Sequence, residues 1–184
     1  MFKSIVAAAL VVFVASPALA ERAQFSLPGG WTSKDFPAKD GSTVVLARPM
    51  APPGADVPMV MVEGPQRLNG TLGAWMSRYL KGDGTERVLR YQVVAEGTRG
   101  HHQILVVDAL YLQTDGVQSL RRLFAVTNGE WVAPIREFVS NREQLKLFSP
   151  AVGILVKSVH FKDATAVPVE RPNSPETQLA DLGI

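Results

Sequence analysis

The chain of 184 residues contains no cysteine. It therefore forms no disulfide, offers no thiolate nucleophile and supplies no cysteine ligands for a zinc or iron–sulfur site. Histidine is limited to 3 residues, so few imidazole ligands are available either. We predict no metal and no cofactor, and we expect stability to come from packing alone.

The sequence also lacks a large excess of positive or negative charge, and it lacks the familiar catalytic motifs. The 19 Lys and Arg nearly balance the 17 Asp and Glu, which gives no electrostatic reason to expect nucleic acid or an anionic membrane as a partner. The sequence has no G-x-S-x-G, no G-x-x-x-x-G-K-[ST], no H-E-x-x-H and no dinucleotide glycine pattern. We therefore predict no catalytic residues, and a protein that is not an enzyme.

The N-terminus has the three parts of a cleavable signal peptide, which we place at residues 1–20. Lys3 is followed by an apolar run over residues 5–14, and small residues precede a cleavage site between Ala20 and Glu21. The run is shorter than the roughly 20 residues that span a bilayer. We expect an exported, soluble periplasmic protein with no stable membrane anchor after cleavage.

The mature chain is long enough for one domain, which we place at residues 21–162. The remaining segment, 163–184, contains Pro168, Pro172 and Pro175 among polar residues and has little to bury. This composition predicts a disordered tail. A short partner-binding peptide is the alternative interpretation of the same segment.

The first half of the domain reads as short strands followed by a helix. An Asp40-Gly41 turn and a proline-rich loop at 49–58 separate the strands. Apolar residues then recur at i, i+3, i+4 and i+7 from Leu72, which predicts a helix capped by Asn69 or Thr71 and ended by Gly82. The strands are predicted at 24–27, 31–36, 43–47 and 59–63.

The second half is richer in strand patterns, predicted at 89–96, 103–114, 120–127 and 131–139. Asn128-Gly129 lies between the last two and predicts a hairpin. Pro134 indicates an edge strand or a bulge, because proline cannot donate a ladder hydrogen bond. Two helices close the domain, at 142–148 and from Pro150 onward. The order of elements favours the α+β class, with helices packed against an antiparallel sheet.

Two groups of polar residues are candidates for a functional site. His101 and His102 are adjacent, so on a strand they point to opposite faces and cannot chelate one metal; His160 is the third histidine. Asp108 interrupts an apolar strand, which predicts a buried or paired carboxylate, with Arg121 or Arg122 as its partner. A structural ion pair and a perturbed carboxylate in a cleft both remain open for Asp108.

The tryptophans give a weaker indication of a binding surface. Trp75 belongs to the apolar face of the first predicted helix, whereas Trp31 and Trp131 each follow a turn. Partial exposure of these two side chains would suit a contact surface, although packing is their commoner role. The candidate interaction surface consists of Trp31, Asn128, Trp131 and Pro134, with the 49–58 loop beside it.

Several short motifs together resemble the PsbP/Mog-like superfamily, in particular its small exported bacterial members, which include DcrB-like proteins. The resemblance covers about residues 24–162. The motifs are Phe25-Ser26-Leu27-Pro28-x-Gly30-Trp31, Lys39-Asp40-Gly41, Leu72-x-x-Trp75-Met76, Gly100 before a long apolar strand, and Ile154-Leu155-x-Lys157-Ser158-Val159-x-Phe161.

The resemblance implies an αβα sandwich, in which a central antiparallel sheet is flanked by helices, and a scaffold or binding role. It supplies no catalytic motif, and the acidic patch with which Mog-type relatives engage the GTPase Ran has no match here. Our leading hypothesis is a non-enzymatic binding or scaffold protein whose partner is another, unidentified envelope protein.

Two alternatives accompany that hypothesis. The first is a carrier of a small ligand, lipid or metal, which predicts a sizeable apolar pocket between sheet and helices. The second is an enzyme with a non-standard site, in which Asp108, Glu63 and His101 or His102 converge in one cleft.

Overall fold

The computed structural model describes residues 23–38, 42–82 and 84–161. The predicted signal peptide with its Ala20/Glu21 cleavage site, the Asp40-Gly41 turn and the predicted 163–184 tail lie outside the described residues. The described residues form these elements: β1 (Ala23–Gln24), β2 (Trp31–Pro37), β3 (Thr43–Pro49), β4 (Met59–Val62), β5 (Gln66–Arg67), α1 (Leu72–Lys81), β6 (Arg87–Arg99), β7 (His102–Leu112), β8 (Gln118–Thr127), β9 (Trp131–Val139), α2 (Arg142–Ser158) and β10 (His160–Phe161).

Eight of these strands form one antiparallel sheet. Seven of them follow the order β2-β3-β4-β9-β8-β7-β6. The eighth, β5, pairs with β9 on the same side as β4, at the part of β9 that β4 leaves unpaired. Within this sheet β2 and β6 are the edge strands, and β7, β8 and β9 form its middle. The other two strands, β1 and β10, pair with each other in a separate small sheet. The long central strands carry continuous apolar runs, as expected of strands that are buried on both faces.

The two helices pack on opposite faces of the large sheet. On β7, Leu105 and Val107 join a cluster built around α1, and Ile104 and Val106 join a second cluster built around α2. We call these two sides the α1 face and the α2 face. The alternation follows from the strand itself, because successive side chains point to opposite sides.

The predicted αβα sandwich is wrong, because the described part of the protein is mostly β. Its helices have only 10 and 17 residues, and each covers only part of one face of the eight-stranded sheet, so no helical layer is formed. The sequence pattern predicts three helices, one from Leu72 and two at the C-terminal end of the domain, and so overestimates the helical content. Parts of the sheet stay uncovered, so Tyr91 and Val93 of β6 are exposed.

The two predicted C-terminal helices are a single helix, α2, with Pro150 in its interior. Asn141 caps its start, as its side chain accepts a 2.9 Å hydrogen bond from the Gln144 N–H. An interior proline costs about 3 kcal/mol in an isolated helix. Here Leu145 before the proline and Val152 after it are both buried, so packing on both sides of Pro150 offsets this cost.

Of the two alternatives predicted for Pro134, an edge strand or a bulge, the edge strand is wrong. Pro134 is buried on β9, between β8 and the strands β4 and β5. The Pro134 carbonyl accepts a hydrogen bond from the Glu63 N–H, so the Pro134 nitrogen also points toward β4 and β5. At this position the chain passes from β4 to β5, and the ladder of hydrogen bonds with β9 is interrupted. The interruption accommodates the missing donor.

Two local predictions are confirmed. The helix α1 starts at Leu72, where Thr71 Oγ1 accepts from the Ala74 N–H at 3.2 Å, and it ends at Gly82 with φ of 59°. The Asn128-Gly129 hairpin joins β8 to β9. Among the described residues, neither helix is long and apolar enough to cross a membrane.

We expect Leu155→Ala to lower the free energy of unfolding by about 2–5 kcal/mol, because it opens a cavity in the α2-face cluster. Leu155 is 0 % exposed, whereas the adjacent Ile154 is 51 % exposed. Ile154→Ala is therefore the matched control, and we expect it to change stability by less than about 1 kcal/mol. Urea unfolding of both variants checks this. Equal losses would contradict the placement of α2.

Candidate binding site

The four residues of the predicted interaction surface do not form one exposed patch. Trp31 is half-buried and packs against the α2-face cluster, and Trp131 is half-buried with the Arg67 guanidinium 4.5 Å over its ring. Asn128 is buried, and its side-chain oxygen accepts from the Trp131 N–H at 2.8 Å, inside the hairpin turn. With Pro134 buried as well, packing and turn formation account for most of this set.

Asp108 lies on the α2 face and is paired with Arg122 of β8. Arg122 Nε donates to one carboxylate oxygen at 2.7 Å, and its Nη2 donates to the other at 3.0 Å. The same guanidinium donates to Ser149 Oγ of α2 at 3.2 Å. Arg121, the other partner considered from sequence, points to the α1 face, since adjacent residues of a strand alternate.

Glu137 of β9 completes a row of charged side chains, because Arg122 is in register with Asp108 on one side and with Glu137 on the other. Glu137 is fully buried, and its two carboxylate oxygens have no hydrogen-bond partner among the described residues. Burial raises the pKa of Glu137 to about 8; Arg122 opposes this shift and Asp108 adds to it. Near neutral pH the group is therefore largely protonated.

Gly100 and His101 form the turn between β6 and β7, and His102 is the first residue of β7. His101 is exposed, and the ring of His102 packs 5.7 Å from that of Phe161. Burial lowers the pKa of His102, and the positive charges of His101 and His160 lower it further. No group of three His, Cys, Asp or Glu that could hold a metal ion occurs in the described ranges.

The carboxylates and histidines considered for an enzymatic site do not converge. Asp108 is on the α2 face, whereas Glu63 contacts α1 on the other face of the sheet. His102 is six residues from Asp108 along β7, which is about 20 Å at 3.3 Å per residue. These groups cannot act together in one cleft.

Polar side chains do converge in a groove beside α1, which sequence reasoning missed. Tyr79 Oη donates to Glu63 Oε1 at 2.6 Å and accepts from Arg136 Nε, and Arg136 Nε lies 2.7 Å from the same carboxylate oxygen. The groove is a cavity of about 390 Å³. Its lining residues are Glu63, Gln66, Arg78, Tyr79, Leu80, Gly82, Thr85, Glu86, Tyr111 and Arg136.

A second ion pair, between Arg121 and Glu86, lies beside the groove. The Arg121 guanidinium stacks on the ring of Tyr111 at 4.2 Å and on that of Phe138 at 4.8 Å. Both of its terminal nitrogens donate to the Glu86 carboxylate. Arg121 is nearly fully buried, so the pairing with Glu86 offsets the cost of burying its charge.

Tyr79, Tyr111 and Arg136 keep fixed protonation states in the groove. Burial raises the pKa of Tyr79 well above its ordinary value, and the neighbouring Glu63 carboxylate raises it further. Burial also raises the pKa of Tyr111. For Arg136, burial acts to lower the pKa, but Tyr79 and Glu63 outweigh it and the pKa is raised. The groove thus presents neutral phenols and a charged guanidinium across the physiological pH range.

Comparison with known proteins adds little to this geometry. No family model matches the chain, and no curated protein matches it. The chain is similar to the solution structure of cyanobacterial PsbP (CyanoP) from Synechocystis, with a TM-score of 0.48 and 12% identity over 77% of this chain and 93% of that one. At this TM-score and identity the similarity carries no argument about the fold family or the function of this chain, and it gives no support to a DcrB-like or Mog-like assignment.

We expect Glu137→Gln to flatten the dependence of stability on pH. The folded-state pKa of about 8 exceeds the ordinary value of 4.5, so the folded protein binds one more proton than the unfolded chain between these values. The free energy of unfolding therefore falls as pH rises through this window, by up to about 1.4 kcal/mol per pH unit, and the variant lacks this contribution.

Urea unfolding at pH 5, 6.5 and 8 measures the slope. Glu96→Gln is the matched control, because Glu96 is an exposed strand residue on β6. We expect the control to keep the wild-type slope. A Glu137→Gln variant with an unchanged slope would show that the carboxylate is ionised in the folded state.

Proposed function

We propose that the chain is an exported, non-enzymatic binding protein of the periplasm, which holds an extended segment of another envelope protein along β6. Export rests on the signal-peptide pattern at residues 1–20. A non-enzymatic role is supported by the lack of catalytic motifs and by the separation of Asp108, Glu63 and His102. We place the docking surface on β6.

The observation that carries the proposal is a row of exposed apolar side chains on a long edge strand. β6 has 13 residues and pairs only with β7 among the described strands. Leu89, Tyr91 and Val93 are 39, 54 and 53 % exposed, respectively. Edge strands with exposed apolar residues are templates for another extended chain unless they are covered.

The two sides of β6 differ in character. Tyr91 and Val93 are in register with α1-face residues of β7, whereas Arg87 and Arg90 are in register with α2-face residues. A strand added beside β6 would therefore meet apolar side chains on one face and two guanidinium groups on the other. We infer a partner segment in which apolar and acidic residues alternate, because this matches the two-residue period of a strand.

Two irregularities limit how far backbone pairing extends. Register shifts occur between Val88 and Arg90 and between Val93 and Ala95, which leaves residues 90–93 as the regular run. Bulges of this kind disrupt the ladder and discourage uncontrolled edge pairing. The partner is thus held by a short ladder together with side-chain contacts, which favours a specific and reversible complex.

The apolar carrier considered from sequence has less support. Val106 of the sheet and Leu155 of α2 are both fully buried in one close-packed cluster, so the space between them is filled. An apolar notch near His102 and Val159 has a volume of about 260 Å³, just below the usual range for small-molecule pockets.

We expect an eight-residue peptide of alternating Val and Glu to bind the mature chain along β6. The measurement is a backbone amide NMR titration of the isotope-labelled protein. A peptide with Lys in place of Glu should bind about tenfold more weakly, since two attractions become repulsions. Shifts centred away from β6, or equal binding of both peptides, would contradict the proposal.

A double variant, Tyr91→Ser with Val93→Ser, should abolish this binding and leave the fold intact. The matched control is Leu147→Ser with Ile154→Ser, because these exposed apolar residues lie on α2. In cells, a photo-crosslinking residue at Tyr91 should yield a defined adduct to an envelope protein that the same residue at Leu147 does not give.

A further inference from the structure

We propose that the groove beside α1 is a binding site for a small organic carboxylate. The site is separate from the β6 edge and does not depend on the partner proposed there. Its elements are the free nitrogens of Arg136, the hydroxyl of Tyr111 and the ring surfaces around them.

Two of the side chains that line the groove, Arg136 and Tyr111, have donors without a partner among the described residues. Arg136 uses Nε for Tyr79 and Glu63, and its two terminal nitrogens have no partner among the described residues. Tyr111 is only 5 % exposed, yet its hydroxyl has no hydrogen bond to any described residue and the side chain lines the cavity. Neither group belongs to the fully buried side-chain atoms without a partner, so both donors are open to the groove and can bind an acceptor that enters it.

The guanidinium is held in place before any ligand arrives. Its carbon lies 4.8 Å over the ring of Tyr79, and that ring stacks on Trp75 of the same helix at 4.7 Å. Glu63 fixes the Nε edge at 2.7 Å. Because the orientation is already set, binding an acceptor at the terminal nitrogens costs little side-chain entropy.

A carboxylate fits this site better than a phosphate. Two parallel N–H groups of one guanidinium match the two oxygens of a carboxylate. Glu63 and Glu86 also line the groove, so a doubly charged phosphate would meet stronger repulsion than a single negative charge. The rings of Tyr79 and Tyr111 and the side chain of Leu80 offer apolar contact for an organic body.

Benzoate is the probe, titrated into the isotope-labelled mature chain and followed by NMR. We expect saturable, millimolar binding that shifts the Trp75 indole N–H and the amides of Tyr79, Leu80 and Tyr111. Benzamide, which has the same shape without the charge, and inorganic phosphate should bind at least tenfold more weakly. Binding of either as tight as that of benzoate would overturn the proposal.

Two variants test the assigned donors, and a third is the control. Tyr111→Phe removes one hydroxyl and should weaken benzoate binding about tenfold, as expected for a hydrogen bond to a charged group. Arg136→Lys keeps the charge but loses the paired N–H groups, and it should weaken binding by a similar factor. Arg99→Lys, on an exposed position at the far end of β6, should leave the affinity unchanged.

Tyr111→Phe keeps the ring that stacks on Arg121, so we expect this variant to fold. If Arg136→Lys proves to be unfolded, the result for Tyr111→Phe is the test of the site. The proposal is overturned if Tyr111→Phe is folded and binds benzoate as the wild type does. It is also overturned if the benzoate shifts lie on β6 or on the α2 face instead of around the groove.

Discussion

Each face of the eight-stranded sheet is covered by a single helix, so parts of both faces remain uncovered, and the other features of the structure follow from this partial cover. Where α1 and α2 lie, β7 is apolar on both faces, so four successive residues from Ile104 to Val107 are buried. Beyond the helices the strands continue without cover. The exposed apolar row of β6 and the groove at the end of α1 both lie where this cover ends.

Charged residues also lie buried within the sheet, and the alternation of side chains along each strand determines which face each one occupies. The adjacent Arg121 and Arg122 of β8 point to opposite faces, and each guanidinium meets its own carboxylate, Glu86 or Asp108. Only Glu137 is left without a hydrogen bond among these buried charges, and its raised pKa keeps it protonated near neutral pH. Neutralisation by pairing or by a proton is the general condition for burying such groups.

Local features could be predicted from the sequence, and assembled ones could not. The spacing from Leu72 to Tyr79 and the Asn128-Gly129 pair were sufficient for α1 and for the hairpin, because capping and turn chemistry are short-range. Pro134 misled because the interruption between β4 and β5 that accommodates it is distant in sequence. The groove was missed for the same reason: Tyr79 and Arg136 are 57 residues apart and meet only through the sheet.

Hydrogen exchange of the β6 amides in the isolated chain of residues 21–184 shows whether β6 is an uncovered edge. If β6 is an uncovered edge, alternate amides within residues 90–93, those that point away from β7, exchange rapidly while the amides of β7 and β8 stay protected. If all four amides of this run are as protected as those of β7, another part of the chain or a second copy already covers the edge, and the account of β6 as a free docking strand is wrong.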